Sequence, residues 1–326
     1  MQHANGRQSN YIRVLTYHRV AHLDDRPWLN PGLISATPKL FERQMSFLAQ
    51  NYNVVSMQEI LDSVAGTKPL PRKTVLVTFD DAYRDFAENA WPILQRLRLP
   101  VTVFVPTAYP DQPKRMFWWD KLHQVFTGND RLESTPVGAI SLKTDEERRD
   151  GLKRLQGYIK KCPHEKALQI VDELFDKCAD GKAVLPNVLG WQELRQLAND
   201  GVTLGAHTQT HPVLTRIHPE KAKSEMLGSQ SDLQREIGDV LPIFSYPDGG
   251  HNQRILDILR DAGFVLGFNG PAGTDDLTSG ELLRIRRINI TPKSSHLLFR
   301  VRMSRWFSPV ERFRHRKRIQ EVTDEN

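Results

Sequence analysis

Val75-Leu76-Val77-Thr78-Phe79-Asp80-Asp81 is the stretch whose reading decides the fold. Its first three residues read as a short buried strand, because β-branched and apolar side chains suit a sheet interior. Two adjacent carboxylates then stand where that strand ends. Neighbouring like charges raise each other's pKa, and desolvation raises both further. A divalent cation resolves the conflict by binding one carboxylate and leaving the other free as a base. The competing reading is that Asp80 and Asp81 simply open the next helix, since Asp is favoured at caps. The pair alone does not choose between the two.

A second strand-like run, Val202-Thr203-Leu204-Gly205-Ala206, leads into His207-Thr208-Gln209-Thr210-His211. Two imidazoles four residues apart converge on one metal if the segment makes a helical turn. With 11 His in the chain, chance alone supplies roughly 0.4 such pairs, the usual risk of a short motif; His18 and His22 are a second pair. Position distinguishes His207 and His211, because ligands and catalysts of α/β folds collect at the C-terminal ends of strands. One Asp and two His leave a tetrahedral ion an open position for water, as catalytic sites do.

A third segment, Phe244-Ser245-Tyr246-Pro247-Asp248-Gly249-Gly250, precedes a periodic helix that Gly263 is placed to stop. Its Tyr-Pro step and paired glycines let backbone N–H groups face a ligand closely, although such a segment is also an ordinary turn. Strand and helix signals alternate around these motifs. Ile12 to Tyr17 reads as strand, Pro38 to Gln50 as a helix capped by Thr37, and Asn53 to Ser56 and Val101 to Val105 as strands. A helix carrying Phe86, Ala90, Ile93, Leu94 and Leu97 is expected to break or bend near Pro92. This alternation argues for a parallel sheet.

The chain resembles the polysaccharide deacetylase family, the NodB-homology domain of carbohydrate esterase family four. Thr78-Phe79-Asp80-Asp81, His207-Thr-x-x-His211 and Tyr246-Pro-x-Gly249 match its signatures in order. Trp191-Gln192-Glu193-Leu194 matches the helix that precedes the His strand. The resemblance covers about residues 11 to 290 apart from an insertion, and implies a distorted (β/α)7 barrel. It also implies a metal-dependent amidase acting on N-acetylated sugars, with one divalent ion, Zn²⁺ by preference. Asp81, His207 and His211 would hold the ion, Asp80 would act as the base, and the Tyr246 N–H would bind the oxyanion.

The departing amine needs an acid, and here the chain leaves the family pattern. The late Leu-x-His motif has no match after residue 263, and the Asp-x-x-Asp-Trp segment is missing. His18, in Tyr17-His18 at the end of strand one, is the replacement, as in the branch of poly-N-acetylglucosamine deacetylases that it resembles. His251 and His296 are lesser candidates. Arg287 is expected to partner Asp80, with Arg286 pointing the opposite way along the same strand.

Residues from about 110 to 190 break the rhythm with charged, helix-forming sequence, read as a helical insertion. Trp118 and Trp119 there either anchor the insertion or, with Tyr246 and Pro247, form a wall for the sugar. On that reading the insertion sets substrate choice. Residues 291–326 form a basic tail in which Arg300, Arg302, Arg305, Arg312, Arg314, Arg316, Lys317 and Arg318 accompany Trp306, Phe307 and Phe313. Such a tail can make peripheral contact with an anionic membrane, meet an acidic partner or stay solvated.

Hydrophobic content of 39% and aromatic content of 8% suit a soluble domain. The net charge of +6 is modest and no recognition motif accompanies it, so nucleic acid is not an expected partner. Met1 to Asn10 lacks an apolar signal region, and Cys162 and Cys178 read as reduced thiols. These features point to the cytoplasm, at the inner face of the membrane if the glycan is a lipid-linked precursor. Two other classes fit the motifs: a catalytically weak glycan-binding module that keeps the metal site, and an amidohydrolase of a cyclic amide or ureide.

Overall fold

The computed structural model describes residues 11–22, 29–112, 115–159, 161–178, 187–269, 272–278 and 280–304. Seven strands pair in parallel and close on themselves: β1 (Tyr11–Tyr17), β2 (Thr74–Asp80), β3 (Thr102–Val105), β4 (Thr203–Ala206), β5 (Ile243–Ser245), β6 (Leu266–Asn269) and β7 (Ile285–Asn289). β1 closes the barrel by pairing with both β2 and β7, in registers that place Leu15 beside Val77 and Ile288. This is the (β/α)7 barrel. Asn53–Val54 adds a short parallel strand beside β2, and Asp275–Asp276 an antiparallel one beside β1.

The two-residue period of a strand decides what fills the barrel. Along β1, β2 and β7 one face reads Ile12-Val14-Thr16, Leu76-Thr78-Asp80 and Ile285-Arg287-Asn289. Ile12, Val14, Leu76 and Ile285 pack with Phe104, Ile243 and Phe268 as an apolar core. The same face turns polar at the C-terminal ends. The other face, with Leu15, Tyr17, Val77, Phe79, Val103 and Val105, packs under the helices. A one-residue slip would exchange the two sets.

Helices α1 (Pro38–Asn51) and α2 (Met57–Val64) lie between β1 and β2, and α1 shows how a helix is placed on that outer face. Thr37 Oγ1 accepts from the Leu40 N–H at 3.3 Å, and Pro38 sits in the first turn where a missing N–H is harmless. Phe41, Met45 and Leu48 then fall on one buried stripe. The Phe41 ring meets Tyr17 and Phe79 at 5.1 and 5.7 Å. Burying each such side chain stabilises the fold by roughly 1.5–3 kcal/mol, and Phe41→Ala is expected to cost about 3–5 kcal/mol.

The Asp pair opens no helix: Asp80 ends β2, and Asp81 and Ala82 adopt left-handed φ of 73° and 48°. The helix beyond is irregular next to Pro92, as the sequence suggests, but is not interrupted there: a π-helical turn (Phe86–Ala90) runs straight into α3 (Trp91–Leu97), with Pro92 in the first turn of α3.

Between β3 and β4 lie α4 (Trp118–Gly128), a small antiparallel pair (Arg131–Leu132 with Ile140–Ser141), α5 (Asp145–Ile159) and α6 (His164–Cys178). They share a core of their own around Leu122, Phe126, Leu155 and Val171. Cys162 and Cys178 are free thiols. Helix α7 (Trp191–Asn199) leads into β4, α8 (Pro219–Ile237) lies between β4 and β5, and α9 (Gln253–Asp261) between β5 and β6. The last described helix, α10 (His296–Met303), buries Phe299 and Met303. Arg302 is tied to the Asn289 carbonyl and Ser294 Oγ, both at 3.1 Å. Arg305, Trp306, Phe307, Arg312, Phe313, Arg314, Arg316, Lys317 and Arg318 lie outside the described residues. Among the described residues no helix is long and apolar enough to cross a membrane.

Candidate active site

The polar ends of the strands open into a cavity of about 320 Å³, lined among others by His18, Asp80, Asp81, Trp119, His207 and His211. Two successive left-handed residues after β2 bring the Asp81 carboxylate beside both imidazoles. Such backbone costs of order 1 kcal/mol or more per residue and is tolerated where its surroundings fix it. His207 continues the β4 ladder, its N–H donating to the Val105 carbonyl at 3.2 Å. Its Nδ1 faces the Ser245 carbonyl at 2.8 Å, which assigns the proton to Nδ1 and leaves Nε2 as a free donor pair.

The segment to His211 is not the helical turn that the spacing suggests. Thr208 and His211 both take left-handed φ, 63° and 59°. Thr208 Oγ1 accepts from the His211 N–H at 3.0 Å. Glu225, buried on α8 (Pro219–Ile237), accepts from the N–H groups of Gln209 and Thr210 at 2.9 and 2.8 Å and from Thr210 Oγ1 at 2.5 Å. A loop satisfied by one buried carboxylate, not by helix bonds, delivers the second imidazole.

Asp81 Oδ1 lies 3.6 Å from His207 Nε2 and 3.3 Å from His211 Nε2, and has no hydrogen-bond partner. Two donors each about 2.0–2.1 Å from a tetrahedral zinc are about 3.3–3.5 Å apart. The donor set therefore fits a divalent ion, and a buried oxygen left without a hydrogen bond is otherwise costly. Burial pushes the Asp81 carboxyl up, but the two imidazoles outweigh it and hold it below its usual value. Burial lowers both histidines; Asp80 and Asp81 bring His207 out above its ordinary value, while His211 stays below.

Arg287 enters from β7 on the inward face and grips both oxygens of Asp80, at 2.8 and 2.7 Å. Arg286 points outward to Asp275, with Nε to Oδ1 at 2.8 Å. Burial pushes the Asp80 carboxyl up, yet the Arg287 guanidinium prevails and keeps it far below the usual carboxylate range. Asp80 is therefore ionised at neutral pH.

A parallel barrel with this buried Asp-His-His set has a counterpart among known sequences. The profile of the polysaccharide deacetylase family matches residues 67–267. The chain belongs to that family. Bacillus subtilis YxkH is 20% identical over 289 residues, 88% of this chain and 74% of its own length. The poly-β-1,6-N-acetyl-D-glucosamine N-deacetylase of Escherichia coli is 29% identical over 135 residues, 35% of this chain and only 20% of that protein. The Streptococcus pyogenes deacetylase PplD shares the fold at a TM-score of 0.60 and 21% identity, covering 90% of this chain and 98% of its own. IcaB of Ammonifex degensii does so at 0.58 and 19%, covering 91% and 99%.

Within this deacetylase several sequence expectations need correction. Tyr246 lines the cavity, but its N–H donates to the Phe268 carbonyl at 3.0 Å and is not free for an oxyanion; the ring is buried with its hydroxyl on the Leu283 carbonyl at 2.8 Å. Pro247 is buried and lies outside the cavity lining. Trp118 packs with the insertion's own core, while Trp119 reaches the cavity. His296 sits against Phe47, 6.0 Å between ring centroids, away from the site. His251 Nδ1 is held at 2.8 Å from the Gly249 carbonyl, and only His18 joins Asp80 and the metal set in the cavity lining.

Glu225 was missed by motif reading. Its signal was present: Ala222, Glu225, Met226, Ser229 and Leu233 make the buried stripe of α8, so a glutamate stands on an apolar face. Ser245 was passed over too, because it acts on His207 through its carbonyl, which no side-chain pattern reveals.

Proposed function

We propose that this chain is a metal-dependent hydrolase that removes N-acetyl groups from an N-acetylated glycan, with zinc as the ion. The observation that carries the proposal is the meeting, in one cavity, of the Asp81-His207-His211 donor set and an Asp80 kept ionised by Arg287. The E. coli relative's name, an N-deacetylase of poly-β-1,6-N-acetyl-D-glucosamine, favours a glycan over a small cyclic amide.

A bound divalent ion would polarise the acetyl carbonyl and acidify water, whose bulk pKa of 15.7 can fall to about 7 on zinc. Asp80, ionised and fixed by Arg287, takes the proton as water attacks. In the loop after β5 the Tyr246 and Gly249 amides are engaged, at 3.0 and 2.9 Å, and Pro247 has none. Asp248, in the cavity lining with a φ of 52°, supplies the amide that we assign to the developing oxyanion. His18, on the same cavity, donates a proton to the departing amine, which otherwise leaves as an amide anion.

The test is acetate release from N-acetylated chito-oligosaccharides and from poly-β-1,6-N-acetylglucosamine fragments, before and after chelation and Zn²⁺ return. Chelator-sensitive release restored by Zn²⁺ is expected. Release only from small ureides would replace the substrate class, and binding without release would leave a glycan-binding module.

A further inference from the structure

The two histidines of the metal set are oriented by different means. His207 has its second nitrogen on the Ser245 carbonyl. His211 Nδ1 has no hydrogen-bond partner, although a metal-binding histidine ordinarily fixes its ring through that bond. What faces the His211 ring is aromatic. Trp119 meets it edge-on at 4.9 Å and 72°, Phe117 at 5.7 Å and 77°, and these two rings stack on each other at 4.6 Å and 7°. Both belong to the start of α4, in the insertion.

Trp119 is itself held. Its indole N–H donates to the Tyr83 hydroxyl at 2.9 Å. The Tyr83 ring lies under the Arg19 guanidinium, 3.5 Å from its Cζ to the ring centroid. Arg19, 1% exposed, donates to Asp85 at 2.6 Å and lies 3.5 Å from Asp120, the residue next to Trp119. Asn187 donates to the same Asp120 oxygen at 2.8 Å. The path leaves α4 at Trp119, crosses two barrel loops and returns to α4 at Asp120.

One guanidinium between two buried carboxylates is an expensive way to fill a core; apolar side chains would stabilise it at least as well. Charge and a hydroxyl add direction. A guanidinium has a preferred place over an aromatic face, and a buried hydroxyl has a preferred partner.

We propose that Arg19 and Tyr83, anchored by Asp85 and Asp120, are positioning residues that act through Trp119 to set the His211 ring for metal binding. The insertion is thus a supporting shell of the metal site as well as a wall of the cavity. This rests on the metal-hydrolase reading above, so the deciding measurement is affinity for the ion alone.

Tyr83→Phe keeps the ring under Arg19 and removes the acceptor for Trp119; Arg19→Lys keeps the buried charge and removes the planar stack. Zn²⁺ affinity of each apo-protein is measured by competition with a chromogenic chelator, and site geometry by the absorption of bound Co²⁺. Each variant is expected to lose about tenfold in Zn²⁺ affinity, the lower end for groups that orient a metal ligand. Because both act through one indole, the double variant should lose no more than the worse single. kcat should fall with KM unchanged. Unchanged affinity and Co²⁺ spectra in both variants, or losses that multiply in the double variant, overturn the relay. A rise in KM with affinity intact makes Trp119 a sugar wall only. If Arg19→Lys fails to fold, Tyr83→Phe alone decides on the same criterion. A wild-type protein that binds Zn²⁺ but releases no acetate defeats the substrate reading and leaves the relay under test; one that binds no Zn²⁺ defeats both.

Discussion

Arg287 holds both oxygens of Asp80, at 2.7 and 2.8 Å, from a strand that ends the barrel more than 200 positions later in sequence. The fork of a guanidinium matches a carboxylate in one plane, so it fixes the direction of Asp80 as well as its charge. Arg287→Met should leave a buried, unpaired carboxylate, costing about 3–5 kcal/mol of stability. Turnover should fall by ~10²–10⁴, the share of a positioned base. Zn²⁺ content should be retained, since Asp81, His207 and His211 are untouched. Metal analysis beside urea unfolding checks this, and loss of the ion would show that Arg287 supports the whole site.

The acid can be isolated by choice of leaving group. His18→Ala should lower amide hydrolysis by ~10²–10⁴. Activated aryl acetates should fall far less, because a phenolate leaves without a proton. Rates on both substrates, with Zn²⁺ content as a control, decide it. An equal drop on both would return the role to another group and make His18 a neighbour of the site.

The barrel was legible because its physics repeats. Apolar, β-branched runs marked β1 and β2, and the two-residue period of a strand separated Arg287 from Arg286 on β7. Motif order put Asp80, Asp81, His207 and His211 at strand ends, where they stand. Features carried by the backbone were not legible. Left-handed φ at Asp81, Thr208 and His211 has no glycine to announce it. The hydrogen bond that occupies the Tyr246 amide runs to Phe268, across a register that only the folded sheet defines. Trp118 and Trp119 looked equivalent in sequence, yet helix geometry sends neighbouring side chains to different sides.

Glu225 carries the turn between the two histidines, and its removal should act on His211 rather than on the barrel. Glu225→Ala leaves two half-buried N–H groups and one hydroxyl without their acceptor. A cost of roughly 2–4 kcal/mol is expected from losing bonds to a charged group. Zn²⁺ affinity should fall with it, and Glu225→Gln should recover part of both, since the amide oxygen can still accept. Thermal unfolding with and without Zn²⁺ is the measurement. Equal affinity for Zn²⁺ in the wild type and in Glu225→Ala would mean that the loop holds its shape by packing.

Asp120 gives a pH dependence of stability that is separate from the chemistry. Burial pushes its carboxyl up, and Arg19 pulls it down only in part, because Asp85 takes the closer contact; the result is about 6. Arg19 is pushed the other way by the same carboxylates and stays charged. A carboxyl whose folded pKa is raised binds its proton more tightly folded than unfolded. Its contribution to stability is therefore fully present below the unfolded value of about 3.9, and is lost as pH rises through about 6. The window is about two pH units, worth roughly 2–3 kcal/mol. Asp120→Asn removes that titration, so the stability difference between variant and wild type should change by this amount between pH 4 and pH 7, in favour of the variant at the higher pH. Urea unfolding of both proteins across that range measures it. A difference that stays flat with pH would mean that Asp120 keeps an ordinary carboxylate pKa and that Arg19 balances both of its acidic neighbours.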